Sequence, residues 1–575
     1  MSKAINNKNR IRGMIAYMLS HITKLDLIHF FTAATAVTLI GLFIPRLSYN
    51  IFSSLVDTPG HPQIYAMILF FFVISLFQTV LNTFKSYIVW QMQLKSGYYS
   101  HKAFMEKLLD LPVNFFRQYS SGNLADRIAS IQNISNSIIE LIFSGTFTAA
   151  LSIIYFIQMI KFAPKLAFDA AIILFIQLSL TFVTALVQIS VSTKLTALRA
   201  QENGTSFSII SGIRKIRLAG AERRAYSLWE NIYKKCLELS YNPPIIIKIS
   251  GALNTTVALV GQFILYRTAI NNHIDLVHYI AFTSAYALTS AACSNLTSVT
   301  ISSTAILPAI ELVRPIVHAR AETSDERQHV DSLDGSITLR NVSFRYTSDT
   351  PMVIDNLSID VHPGDYLAIV GESGSGKSTL IRLMLGFETP ERGEILYNNI
   401  NINDLNLRDI RKNIGSVLQN GKLLPGSIRS NISLTNKDLT DRELWKAAEI
   451  AGIADDIKSM PLGMNTVISE NSGTISGGQR QRILIARAIA SKPNILIFDE
   501  ATSALDNITQ KKISNALDRL GCTRIIVAHR LSTIKQCHRI VFIHDGKIVE
   551  DGTYKELMSQ GRYFYKLVMR QQMDM

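Results

Sequence analysis

Residues 371–379 read GESGSGKST, a complete match to G-x-x-x-x-G-K-[ST]. The segment follows the apolar run DYLAIV and precedes TLIRLML, so the local order is strand, glycine-rich loop, helix, which is the context this motif needs. Gly371, Gly374 and Gly376, with Ser373 and Ser375 between them, let backbone N–H groups close around the β- and γ-phosphates of a nucleotide. Lys377 adds a point charge, the Ser378 hydroxyl is placed for Mg2+, and Thr379 follows in a helix whose positive end faces the same phosphates. A second segment, NILIFDEATSALD at 494–506, carries two acids at the end of an apolar strand, Ile495–Phe498. Asp499 would hold Mg2+, directly or through water, and Glu500 would polarise an attacking water. Two acids after a strand can be a plain surface turn, but that reading loses its force with GESGSGKST in the same region. At 475–482 stands ISGGQRQR, where Ser476 with Gly477 and Gly478 opens a helix and so offers free N–H groups to an anion.

These segments sit in the C-terminal half of 575 residues, too long a chain for one core, so at least two domains are expected. Hydrophobic residues make up 48% and mean hydropathy is +0.20, an excess concentrated in residues 27–310. Six stretches have the length and apolarity to cross about 30 Å of hydrocarbon. They are Leu27–Leu47, Ile64–Phe84, Ile138–Ile160, Leu166–Ser190, Ile245–Ile270 and Leu276–Ile301. The first is too long for a cleaved signal peptide and lacks a small-residue cleavage site. The net charge of +14 comes from Lys and Arg clustered between apolar runs, which points to a membrane surface and away from nucleic acid. The four cysteines, Cys236, Cys293, Cys522 and Cys537, form no close-spaced pair, so neither a disulfide framework nor a zinc site is expected.

Positive charge sets the expected orientation. Lys3, Lys8, Arg10, Arg12 and Lys24 precede the first span, Lys85 to Arg127 fill the second connection, and Lys194 to Lys235 the fourth. The alternate connections carry little beyond Lys161 and Lys165. Both termini are therefore expected in the cytoplasm. The two basic connections read as helices running out of the membrane, each broken once. The first break, Leu111–Arg127, has Pro112, the apolar pair Phe115 and Phe116, and the turn Ser120-Ser121-Gly122; the second, Ser211–Ala225, has a short basic helix between Gly212 and Gly220. Each break is expected to be a transverse helix docking into the nucleotide-binding part. Twelve of the 22 residues from Thr283 to Thr304 in the sixth span are Ser, Thr or Asn. That composition fits hydrogen bonding at a dimer seam, the wall of a polar cavity, or both, and Asn254 and Gln262 on the fifth span fit either.

Residues 336–575 resemble the nucleotide-binding domain of ABC transporters along their whole length. The resemblance implies ATP and Mg2+ as ligands and assigns further roles. Tyr346, 31 residues before Lys377, matches the aromatic that stacks on adenine. Gln419 in GSVLQN matches the glutamine reaching toward Mg2+ and the membrane domain. Ser476, Gly477, Gly478 and Gln479 match the signature sequence, with Ile475 where leucine is usual. Asp506 matches the loop crossing between two sites, and His529 in IVAHRLST matches the histidine that contacts the γ-phosphate. In the family the signature meets the γ-phosphate of ATP held by the opposite subunit, so two chains sandwich two nucleotides.

One chain with six spans and one cassette resembles a half-transporter of the exporter type. The implied fold is an all-α transmembrane domain of six helices followed by an α/β P-loop ATPase domain. Its expected divisions are a cytoplasmic segment 1–26, a transmembrane domain 27–320, a linker 321–335 and the cassette 336–575. ISGIRKIRLAGAERRA and MPLGMNTVISENSGTISGGQRQR are similar to the subfamily that exports bacteriocins and other leader-type peptides. Some members carry an N-terminal cysteine-peptidase domain. The first span here begins after only about 26 residues, so that domain is expected to be missing, which implies a partner peptidase or a cargo needing no cleavage. The resemblance thus implies ATP-driven peptide export across the cytoplasmic membrane, Glu500, His529 and Gln419 serving catalysis, with a second copy or a related half-transporter as partner. A lipid flippase or multidrug exporter shares the motifs, and an ATP-gated channel or regulator is the more distant alternative.

Overall fold

A computed structural model of the chain describes residues 10–57, 62–322, 327–419, 421–469, 475–500, 506–528 and 530–573. Two compact units form, one of residues up to Leu111 with Phe115–Arg320, the other of Ala321–Met575 with Pro112–Asn114.

The first unit is helical. Among the described residues, six stretches are long and apolar enough to span a membrane: Lys24–Ser54, Ile68–Leu109, Gly122–Phe162, Pro164–Ser211, Glu222–Asn271 and Leu276–His318. Two of the underlying helices, Pro62–Leu109 and Pro164–Ser211, run for 48 residues. At about 1.5 Å per residue each is about 72 Å long, more than twice the thickness of the hydrocarbon. The first ends ahead of Pro112, and a five-residue helix, Val113–Arg117, follows. Phe115 there is buried against Leu111 and Leu124, whereas Phe116 is exposed. Ser120 then caps Ser121–Ile139 by accepting from the Asn123 N–H. The second long helix gives way at Gly212 to the short helix Ile213–Leu218, which ends before Gly220 at φ +60°.

The third span holds a feature that hydropathy does not register. Glu140–Phe147 is a π-helical segment joining Ser121–Ile139 to Thr148–Phe162. Within it a Cβ added at Gly145 would fall 3.0 Å from Val299 Cγ1, so the sixth span packs closely at this point. The polar sixth span, Leu276–Ser303, satisfies its hydroxyls mostly within itself. Thr283, Ser284, Thr289, Thr297, Ser298, Thr300 and Ser303 donate to carbonyls three or four residues back. Among the described residues, its hydroxyls meet other helices at Thr181–Thr297, 3.1 Å, and Ser284–Ser48, 3.4 Å. Its exposed face carries Ala287, Ala291, Ser294, Asn295, Ser298, Ile301 and Ser302.

The second unit is built on a six-stranded sheet. Its order is Lys547–Gly552, Arg539–His544, Tyr366–Gly371, Thr523–Val527, Ile495–Asp499 and Ile414–Val417, parallel except for the first strand. Tyr366–Gly371, Ile495–Asp499 and Thr523–Val527 are buried at every position, which is why Tyr366–Val370, Ile495–Phe498 and Ile525–Val527 read as unbroken runs rather than alternating ones. A second, antiparallel sheet orders Ile354–Val361, Ile337–Phe344, Arg392–Tyr397 and Ile400–Asn401.

Arg411 locks the far end of the helix that follows the glycine-rich loop, Lys377–Met384. It donates to Leu385 O and Gly386 O at 3.0 and 3.1 Å, pairs with both oxygens of Glu322 at 2.6 and 2.9 Å, and lies over the Phe387 ring at 4.6 Å. Removing one partner of a largely buried bidentate pair costs about 2–3 kcal/mol. Arg411→Met is therefore expected to lower the melting temperature of the cassette transition by about 5 °C. Differential scanning calorimetry of the full chain checks this, and an unchanged transition would refute it.

Candidate nucleotide site

The glycine-rich loop leaves the central strand Tyr366–Gly371 at the carboxyl edge of the parallel sheet, where open α/β sheets bind ligands. Two of its glycines have positional reasons. Gly376 has φ +102°, and a Cβ there would fall 2.8 Å from Val353 O. A Cβ at Gly371 would fall 2.2 Å from Ile543 O. Ser375 Oγ is buried and has no protein partner among the described residues, an orphaned donor inside the loop. Lys377 is 7% exposed, and its Nζ donates to Gly371 O at 2.9 Å and Glu372 O at 2.7 Å. Burial holds the Lys377 pKa below the usual lysine value, and Glu500 and Asp499 oppose that shift.

Asp499 ends the strand two positions away in the sheet and is 5% exposed. Burial raises its pKa above the usual carboxylate value, the Ser378 hydrogen bond opposes the rise and the Glu500 charge adds to it. Ser378 Oγ donates to Asp499 Oδ1 at 3.4 Å, which is long for such a bond. A hydroxyl and a carboxylate side by side are the hard oxygen donors that Mg2+ takes. Glu500 has a left-handed backbone, φ +55°. Its carboxylate accepts from Gln419 Nε2 at 3.0 Å, its N–H donates to Val527 O at 3.3 Å, and its carbonyl accepts from Gln481 Nε2 at 3.1 Å. The Gln481 contact was not anticipated from sequence. The residue stands inside ISGGQRQR, but only the fold brings it to the acid strand.

Tyr346 lies beside the loop, its hydroxyl 2.9 Å from Thr379 Oγ1 and accepting from Arg382 Nη1 at 3.1 Å. Its ring is 42% exposed and meets Phe344 edge-on, leaving area for a planar group to stack on. Ser476 caps the helix Gly477–Ala490 in a reciprocal box: Gln479 N–H donates to Ser476 Oγ at 3.2 Å and Ser476 N–H to Gln479 Oε1 at 3.1 Å. Gln479 also donates to Asp456 at 2.9 Å. Ser476 and Gly477 are exposed, and among the described residues no hydrogen bond joins Ser476–Gln479 to Gly371–Thr379. Asp506 caps Asn507–Asp518 by accepting from Thr509 N–H at 2.9 Å, which lowers its pKa. His529 lies outside the described residues. The loop, both acids, Gln419 and Tyr346 thus form one connected cluster, whereas Ser476–Gln479 and Asp506 stand apart from it.

Comparison with known proteins bears on the two units as a whole. Residues 27–293 match the ABC transporter transmembrane region, and residues 354–503 match the ABC transporter domain. The alpha-hemolysin translocation ATP-binding protein HlyB of Escherichia coli is 29% identical over 518 residues, 87% of this chain and 72% of that protein. The leukotoxin export ATP-binding protein LtxB of Aggregatibacter actinomycetemcomitans is 28% identical over 513 residues, again 87% and 72%. A bacterial Atm1-family ABC exporter solved with ATP bound superposes with a TM-score of 0.84 at 23% identity, covering 96% of this chain and 99% of that one. The chain belongs to the ABC transporters, as a half-transporter of the exporter fold in which a multi-pass membrane region and a nucleotide-binding cassette couple ATP hydrolysis to transport.

Proposed function

We propose that two copies of this chain export a peptide or polypeptide across the bacterial cytoplasmic membrane, with both termini and the cassettes on the cytoplasmic side. The observation that carries the cargo class is relatedness over 87% of the chain to proteins named for translocating alpha-hemolysin and leukotoxin. The polar side chains Ser294, Asn295, Ser298 and Ser302 on the exposed face of the sixth span support it, because they can hydrogen-bond a hydrated polypeptide.

In this reading each ATP is held by Gly371–Thr379 of one copy and by the exposed helix end at Ser476–Gln479 of the other, while Tyr346 stacks on adenine and Asp506 lies on the crossing loop. Ser375 and the loop N–H groups receive phosphate oxygens, and Lys377 gives up its contacts with the Gly371 and Glu372 carbonyls to bond them. Ser378, Asp499 and Gln419 would hold Mg2+, which when bound neutralises charge on the phosphates. Glu500, oriented by the Gln419 amide, takes the proton of the attacking water, and His529 contacts the γ-phosphate. Closure of the cassettes moves the short helices at Val113 and Ile213, and the spans alternate their access.

Three measurements test this reading. Glu500→Gln is expected to retain ATP binding and to lose turnover by about 10²-fold or more; near-wild-type ATPase activity would exclude Glu500 as the base. Asp499→Asn removes a carboxylate that burial disfavours, so without nucleotide the variant should melt higher than wild type while its Mg2+-dependent ATPase is lost. A lower melting point would contradict the electrostatic argument. In liposomes, leader-type peptides should stimulate ATPase activity several-fold and accumulate on the far side. Stimulation by lipids or drugs, with none by peptides, would transfer the cargo to those classes.

A further inference from the structure

We infer that Gln481 is a positioning residue for ATP hydrolysis, tying the helix Gly477–Ala490 to the backbone of Glu500. The inference rests on the assignment of Glu500 as general base made above. Gln481 Nε2 donates to the Glu500 carbonyl at 3.1 Å. Glu500 has φ +55°, a backbone conformation that non-glycine residues adopt only when their surroundings impose it. The side-chain direction of such a residue depends on how its flanking peptides are held. The peptide before Glu500 is held by its N–H on Val527 O, and the carbonyl after it by Gln481. The Gln419 amide then meets the carboxylate. Losing the Gln481 donor removes this constraint on the Glu500 carbonyl, and with it part of what fixes the direction of the carboxylate.

The helix that carries Gln481 is a firm anchor. Gln479 donates to Asp456 Oδ1 at 2.9 Å, and Arg482 Nη1 donates to Asp456 Oδ2 at 2.8 Å and to Gly452 O at 2.6 Å. The helix start is closed by the Ser476–Gln479 box. Gln481 therefore transmits the position of a fixed element to the acid, and the helix end that faces the partner's nucleotide in the dimer reading is the same element that holds this chain's own base.

Steady-state ATPase kinetics of the full-length protein in liposomes test this, using Gln481→Met, which keeps length and neutrality but removes the donor. The expected result is a fall in kcat of about 10-fold with KM for ATP within about two-fold of wild type. In a Glu500→Gln background the same change should have no further effect on residual turnover, because its action passes through that carboxylate. A kcat within two-fold of wild type would overturn the inference, as would a KM rising in step with the loss of kcat, or the same fold-loss in both backgrounds. Near-wild-type turnover by Glu500→Gln alone would instead remove the base assignment on which the inference rests.

Discussion

The nucleotide site depends on two opposite charges held out of water at one edge of a sheet. Lys377 and Asp499 are 7% and 5% exposed, and burial shifts both pKa values toward the neutral forms. Each is partly compensated by the other, and neither fully. Such an arrangement is stable only on a scaffold that cannot relax around it. The scaffold is the set of wholly buried strands beneath the loop, together with the Arg411 anchor at the far end of the loop helix. A phosphate-bearing ligand supplies the negative charge that buried Lys377 lacks, so its binding stabilises the folded chain.

The membrane unit answers a different constraint. Backbone polar groups in hydrocarbon must be paired, and long helices pair them internally. Helices of 48 residues continue that solution well beyond the bilayer, each ending at a break that a short helix follows. The hydroxyls of the sixth span follow the same logic on a smaller scale. Bonding to carbonyls on their own helix removes most of the cost of placing them near lipid, so the span keeps a polar face without a matching polar partner on every neighbour.

Features written in contiguous residues were legible in the sequence. Six spans could be located because a hydrocarbon core imposes a minimum length on apolar runs, and each expected stretch overlaps a spanning helix. GESGSGKST, the acid strand and the breaks at Pro112 and Gly212 were legible because turn and strand chemistry is local. The basic connections, expected as helices running out of the membrane, are continuous with their spans in Pro62–Leu109 and Pro164–Ser211, a continuity that hydropathy alone does not register. The π-helical turn at Glu140–Phe147 was invisible for a related reason: its residues are as apolar as their neighbours, and only packing against Val299 distinguishes them. The Ser, Thr and Asn content of the sixth span was legible from composition, but that most of its hydroxyls bond to carbonyls of their own helix was not. Arg411 with Glu322, and Gln481 with Glu500, were not legible because nothing in their spacing records a tertiary contact.

Sheet register turns these separated pieces into a site. Val527 lies opposite Ile369 on one side and Asp499 on the other, and Val417 opposite Phe498. Three parallel strands therefore end nearly level, with Gly371 two residues past Ile369, Glu500 one past Asp499 and Gln419 two past Val417. The loop, the acids and the glutamine come from chain segments far apart in sequence, yet each projects from the same edge. Side chains alternate along a strand, so a slip of one residue in Ile495–Asp499 would turn Asp499 to the opposite face and carry Glu500 away from both glutamines. The apolar side chains of that strand are divided between two cores, Ile495 and Ile497 on one and Leu496 and Phe498 on the other. A slip would have to exchange both sets at once, so the packing on each face of the sheet sets the reach of the acid at its edge.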